Sequence, residues 1–130
     1  MIRNFFITFA VFMVIDLIWL GIIAKDLYSR HLGYIMRTPP NWIAAIGFYI
    51  IFILGLMFFA LYPALDKEAI RYAFLYGAFF GFVAYATYDL TNLATLKDWP
   101  ILITVIDLTW GTVLGGMTTA LSFLIIRFFN

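Results

Sequence analysis

The chain has 130 residues, of which 65% are hydrophobic and only 12% charged, and its formal net charge is +1; the mean hydropathy is +1.02. Soluble domains are about half apolar and about a quarter charged, so this composition belongs to a membrane protein, and so small a net charge leaves no basic footprint for nucleic acid. The absence of cysteine and the presence of one histidine, His31, exclude iron–sulfur clusters, Cys-based zinc sites, bis-His haem ligation within one chain and HExxH metal sites.

The first span is expected from about Phe5 to Ala24. Arg3 followed by an apolar run resembles a signal peptide, but Asp16 interrupts the run and no small-residue cleavage site follows, so a retained helix is the expectation. The loop from Lys25 to Asn41 is the one long connection. Within it Leu27, Tyr28, His31, Leu32 and Ile35 fall at helical spacing, with Arg30 and Arg37 off that stripe. This pattern predicts a short amphipathic helix in the headgroup region. Asn41 is the expected N-cap of a second span over 42–62, which Pro63 is expected to close. Asp66-Lys67-Glu68 forms a polar turn before a third span over 71–96, and Lys97-Asp98-Trp99-Pro100 a tight hairpin before a fourth over 101–126. Trp42 and Trp99, near span boundaries, are expected to anchor at the interfaces.

Crossing a hydrocarbon core of roughly 30 Å takes about 20 residues, and each segment reaches that length. Backbone groups in lipid must bond within the segment, and none of the four alternates with the period of two that a barrel strand needs. The expectation is therefore all-α: an integral membrane four-helix bundle over 1–130, one domain, with a short interfacial helix in the first loop. Arg3, Lys67, Arg71 and Arg127 lie on the side of the termini, and Lys25, Arg30, Arg37 and Lys97 on the side of the long loop. The positive-inside rule reads this tie as no orientation.

Asp16, Asp89 and Asp107 interrupt three of these spans. A carboxylate at the bilayer centre costs roughly 3 kcal/mol on insertion scales, so intramembrane acids mark functional sites by default. Counted from Lys25, Lys97 and Pro100, and at about 1.5 Å per residue, all three lie roughly 10–13 Å below the long-loop side, which predicts one common layer. Helical spacing puts Gly77, Gly81, Tyr85, Asp89 and Asn92 on one face of the third span, with Tyr88 adjacent. The fourth presents Thr104, Asp107, Gly111, Gly115, Thr118 and Ser122; the first sets Asp16 beside Trp19 and Leu20. The second offers Ala44, Gly47, Ile51 and Gly55, a packing stripe without charge.

The Gly77-x-x-x-Gly81 and Gly111-x-x-x-Gly115 pairs allow close helix approach, within the chain in preference to a dimer face, although a homo-oligomer stays open. Asp16, Asp89 and Asp107 are candidate acid–base or ligand-binding groups, and would be the ligands of a hard divalent ion if a metal is bound. Asn92, Tyr85, Tyr88, Trp19, Trp110 and Thr109 are candidate binding residues around them. His31 and Arg30 can overhang the layer from the loop and meet a headgroup. The competing reading makes the aspartates interhelical hydrogen-bonding groups. No lysine lies within a span, so a retinal-type Schiff base is excluded.

The segments Asp16-Leu17-x-Trp19-Leu20-Gly21, Thr87-Tyr88-Asp89-Leu90-Thr91-Asn92-Leu93-Ala94-Thr95-Leu96 and Asp107-Leu108-Thr109-Trp110-Gly111-Thr112 are similar to those of the DUF2177 family of small, predicted four-helix bacterial membrane proteins. The resemblance covers essentially the whole chain and implies a multi-pass protein of the bacterial inner membrane. It implies no activity. From the residues, the leading expectation is an intramembrane pocket, opening to the long-loop side, that binds or acts on a lipid or another small apolar molecule. A small cation- or proton-coupled transporter is the alternative, and a structural subunit of a membrane complex the third. Whether the protein is an enzyme is left open by the sequence.

Overall fold

A computed structural model describes all 130 residues, and the chain is all-α. Helix α1 (Ile2–Ile18) runs into a π-helical turn, Trp19–Ile23. The short α2 (Leu27–Leu32) follows in the long loop. Then come α3 (Trp42–Leu56), a second π-helical turn (Met57–Leu61) and α4 (Tyr62–Lys67), which together form one rod of 26 residues. Helices α5 (Ile70–Thr95) and α6 (Ile101–Phe129) complete four long rods. Three of them, Ile2–Ile23, Trp42–Lys67 and Ile101–Phe129, are long and apolar enough to cross a membrane. The fourth, α5, is 26 residues long but diluted by tyrosines, threonines, Asp89 and Asn92.

Local chemistry explains most of the boundaries. Asn41 caps α3: its side-chain oxygen accepts from the Ala44 backbone N–H at 3.2 Å. Pro63 does not end the second rod, contrary to expectation; the helix continues to Lys67. Proline in a helix lacks an N–H and its ring strikes the carbonyl four residues back. The π-helical turn just before Pro63 carries the hydrogen bonds one residue further, which leaves room for the ring. The α5–α6 hairpin turns through Asp98 at φ 61°, in the left-handed region that Asp tolerates better than most residues. Tyr34 donates its hydroxyl to the Asp98 carbonyl and ties the long loop to this hairpin.

The central contact is between antiparallel α5 and α6. A Cβ on Gly81 would strike the Gly111 carbonyl oxygen, and one on Gly115 would strike the Gly77 carbonyl oxygen. Backbone thus lies directly on backbone, as small residues permit in membrane helix pairs. The glycine pairs pack within the chain. Around this hairpin Phe12, Phe52, Leu56, Met57, Leu61, Leu114, Phe123 and Ile126 form the main core. It fills the half of the bundle nearer the termini. A smaller cluster, Leu32, Trp99 and Ile103, closes the opposite end.

Two expectations need correction here. Trp99 is buried, 6% exposed, and donates its indole N–H to Thr104 Oγ1 at 3.1 Å, so it locks the hairpin instead of anchoring at an interface. The inward face of the second rod is Ala45, Tyr49, Phe52, Ile53 and Leu56, and Ile51 of the expected stripe is 71% exposed. That segment is apolar on every side, so periodicity carries no signal for which face turns inward.

The exterior is oily throughout. Ile22, Ile43, Ile51 and Phe58 are 71–86% exposed, an arrangement suited to lipid and hostile to water. Thermal unfolding in detergent, followed by circular dichroism, will test the hairpin contact. Gly81→Ala should destabilise by about 1–3 kcal/mol, the usual cost of overpacking. Gly47→Ala, whose added Cβ meets nothing within 4 Å, should be neutral or stabilising by up to about 1 kcal/mol. Equal stability of the two variants would show that α5 and α6 do not meet at Gly81.

Candidate functional site

The glycine register positions the first two aspartates. Gly77 faces Thr119 and Gly115, Gly81 faces Gly115 and Gly111, and Tyr85 lies over Gly111. One further turn of each helix brings Asp89 opposite Asp107. The two carboxyls adjoin, and Asp89 is fully buried with neither oxygen hydrogen-bonded. A buried carboxyl whose polar neighbour is a second carboxyl is rare in a folded protein.

The third aspartate arrives with α1. The indole of Trp19 stacks on that of Trp110, with ring centroids 4.5 Å apart and planes inclined by 10°. Because α1 and α6 are antiparallel, matching Trp19 with Trp110 sets Asp16 deeper in the bundle than Asp107. Asp16 accordingly adjoins Trp110, whose indole N–H is buried and has no hydrogen-bond partner. Asp107 adjoins Asp89 and the long loop. The expected single layer is therefore two levels, and a metal site made of all three aspartates is not formed: no three acidic or histidine side chains gather at ligating distance.

Tyr28, on α2, joins these groups. Trp19 Nε1–H donates to the Tyr28 hydroxyl at 3.2 Å, and that hydroxyl donates to Asp107 Oδ1 at 2.5 Å. Burial pushes the Tyr28 phenol well above its ordinary range, and the hydrogen bond to Asp107 pushes the same way. The phenol is thus a neutral donor at any physiological pH. Leu32, one turn further along α2, seats against Trp99 and Ile103. Apolar packing and the hydrogen bond to the Asp107 carboxyl together hold α2 on the bundle.

These residues line a cleft of about 310 Å³, at the small end of the range for ligand sites, about 300–1,000 Å³. Asp16, Trp19, Tyr85, Tyr88, Asp107 and Trp110, all expected from the sequence, form its walls with Leu20, Tyr28, Leu32, Ala45, Phe48 and Tyr49. A second hollow of about 410 Å³, lined by Phe48, Ala84, Tyr85 and Tyr88, adjoins it between α3 and α5. There the first turns of α3 are largely exposed and pack little against α5. The cleft thus has a polar end among the aspartates and an apolar arm toward the lipid.

Other expected residues lie elsewhere. Asp89 sits behind Asp107 and does not line the cleft, and Asn92 neighbours Tyr88 outside it. Thr109 points outward, its hydroxyl donating to the Val105 carbonyl at 2.9 Å, in a shallow surface hollow with Phe82 and Val113. It follows Asp107 by two residues, about 200° of rotation, which puts it on the opposite face of the helix. Arg30 is exposed, and His31 holds its ring against the Leu27 carbonyl at 3.0 Å; neither lines the cleft. The stripe that docks α2 turns Tyr28 and Leu32 inward and leaves Arg30 facing out.

Tyr28 and Tyr49 were absent from the candidate residues. The signal for Tyr28 was present: a tyrosine on an apolar stripe carries a hydroxyl that must find a partner once buried. Tyr49 had no such signal, because nothing in its segment separates inside from outside.

Among known proteins, a family described as "Predicted membrane protein (DUF2177)" matches residues 1–124. No curated protein and no solved structure matches the chain. The Tyr28 bridge makes a test. Tyr28→Phe should raise hydrogen exchange across Leu27–Leu32 and destabilise the fold by about 1–3 kcal/mol, as befits a buried acceptor left without its donor. Unchanged exchange there would mean that Leu32 and its neighbours alone hold α2.

Proposed function

The chain belongs to the DUF2177 family of predicted membrane proteins, and we propose that it is a multi-pass protein of the bacterial inner membrane whose carboxyl-lined cleft binds, or acts on, a lipid or other small apolar molecule. The observation that carries this reading is the Asp89 carboxyl, fully buried with both oxygens unpartnered beside Asp107. A serine or an asparagine would serve interhelical packing without setting two acids side by side in the bundle, and Asp107 is the member of the pair that reaches the cleft. In this arrangement Asp107 exchanges a proton or hydrogen bond with the ligand, Asp89 compensates the change in charge behind it, and Tyr28 holds Asp107 in place.

A pocket fits better than a path through the membrane. Toward the termini, Phe12, Phe52, Leu56 and Leu114 are each 0–2% exposed and fill the bundle below the cleft. Thr118 and Ser122 continue the polar stripe of α6 beyond that plug, with hydroxyls that have no partner, and they are the feature that favours the transporter alternative. The apolar plug separates them from Asp107 by Leu114.

The reading is tested by gentle purification followed by native mass spectrometry of the wild type, Asp89→Asn and Asp107→Asn. Retention of a specific lipid or small apolar molecule by the wild type is expected, with at least tenfold less in Asp107→Asn. Bound metal lost in both variants would replace the pocket with a cation site. If nothing is retained and both variants melt higher than the wild type, the aspartates serve helix packing and the pocket is refuted.

A further inference from the structure

The same cleft carries information about the charge of its ligand. Its polar groups are two carboxyls, Asp16 and Asp107, the four phenols of Tyr28, Tyr49, Tyr85 and Tyr88, and the indoles of the stacked Trp19–Trp110 pair, and no lysine, arginine or histidine lines it. Lys25 and Arg30 are exposed and outside it. An anionic headgroup would meet two acids and no counter-charge, in surroundings where that repulsion is poorly screened. Phospholipid phosphates and fatty carboxylates are therefore poor occupants, despite their abundance in any membrane.

Aromatic rings supply the rest of the wall. Tyr49, Tyr85 and Tyr88 line the cleft together with the aspartates, and Phe48 lines both it and the adjoining hollow. The negative face of an aromatic ring attracts a cation, and carboxylate together with aromatic rings is the lining that recognises ammonium groups. Next to this lining lies an arm of about 410 Å³ walled by Phe48, Ala84, Tyr85 and Tyr88, which no charged side chain enters. Polar cavity and apolar arm share three walls, so one molecule can occupy both.

We infer that the ligand of this cleft is a lipophilic organic cation, its ammonium held between Asp16 and Asp107 among the aromatic rings and its apolar tail lying in the hollow between α3 and α5. The inference rests on the pocket reading above and adds the sign of the charge. It also assigns a part to Asp16, which adjoins Trp110: it is the second, deeper carboxylate against the cation.

Three probes of one chain length separate the outcomes: decylammonium, decanol and decyl phosphate, titrated into the full chain in a non-ionic detergent and followed by tryptophan fluorescence. The cation should bind at least tenfold more tightly than either of the others. Asp16→Asn and Asp107→Asn should each lower its affinity tenfold or more while leaving decanol within about twofold. Equal binding of decanol and the cation, or tighter binding of decyl phosphate, overturns the cation while the pocket stands. Cation binding that survives both substitutions also overturns it, since the attraction would lie elsewhere. If none of the three binds the wild type, the pocket itself falls. The wild-type series decides the headgroup charge even if a variant fails to fold.

Discussion

Backbone contact between α5 and α6 is the constraint on which the rest of the molecule depends. Gly77, Gly81, Gly111 and Gly115 let the two helices touch without intervening side chains, and that contact leaves a single register. The register carries Asp89 to Asp107 and lays Tyr85 over Gly111. Water-driven burial has little force between helices in lipid, so close van der Waals packing of this kind must supply the association. Any slip by one residue would rotate both aspartates out of the contact, one of them toward hydrocarbon, at a cost of roughly 3 kcal/mol per charge. The glycines and the aspartates therefore reinforce the same alignment.

The bundle is asymmetric along its length. Toward the termini, phenylalanine, leucine and isoleucine from the four rods close a dry core. Toward the loops the first turns of α3 are exposed, and the short α2 fills part of the gap. Polar groups accumulate in the open half, where Asp16, Asp107, Tyr28 and two indoles meet. A π-helical turn begins at Trp19, three residues after Asp16, and resets the rotation of α1 as it enters this region. The apolar core thus lies toward one end of the molecule, and the cleft toward the other.

Much of this was legible from residue types alone. Long apolar segments can only be helices in lipid, so the all-α architecture and the α5–α6 hairpin follow from composition and turn chemistry. The Asn41 cap and the short helix of the long loop follow from local patterns that tertiary packing does not override. Asp16, Asp89 and Asp107 stood out by their cost, and Trp19, Trp110, Tyr85 and Tyr88 by their spacing from them. Thr109 shows where adjacency misleads: proximity in sequence to Asp107 placed it on the wrong side of the helix. Pro63 shows the limit of breaker rules, because the π-helical turn Met57–Leu61 absorbs it.

By itself the sequence determined that the protein is a set of apolar helices with three costly carboxyls on the loop side of the bundle, since hydrocarbon penalises unpaired backbone and charge wherever they fall in the chain. Only the tertiary structure decided that the carboxyls lie at two levels and not one. Their depths depend on how α1 slides along α6, and the stacked Trp19–Trp110 pair sets that slide. It also decided that Tyr28 closes the cleft while Arg30 and His31 stay outside. A short helix has one apolar face, and which polar residues accompany that face inward depends on the Trp99–Ile103 surface it docks against. The absence of positive charge in the cleft is a property of that docking and of no single segment.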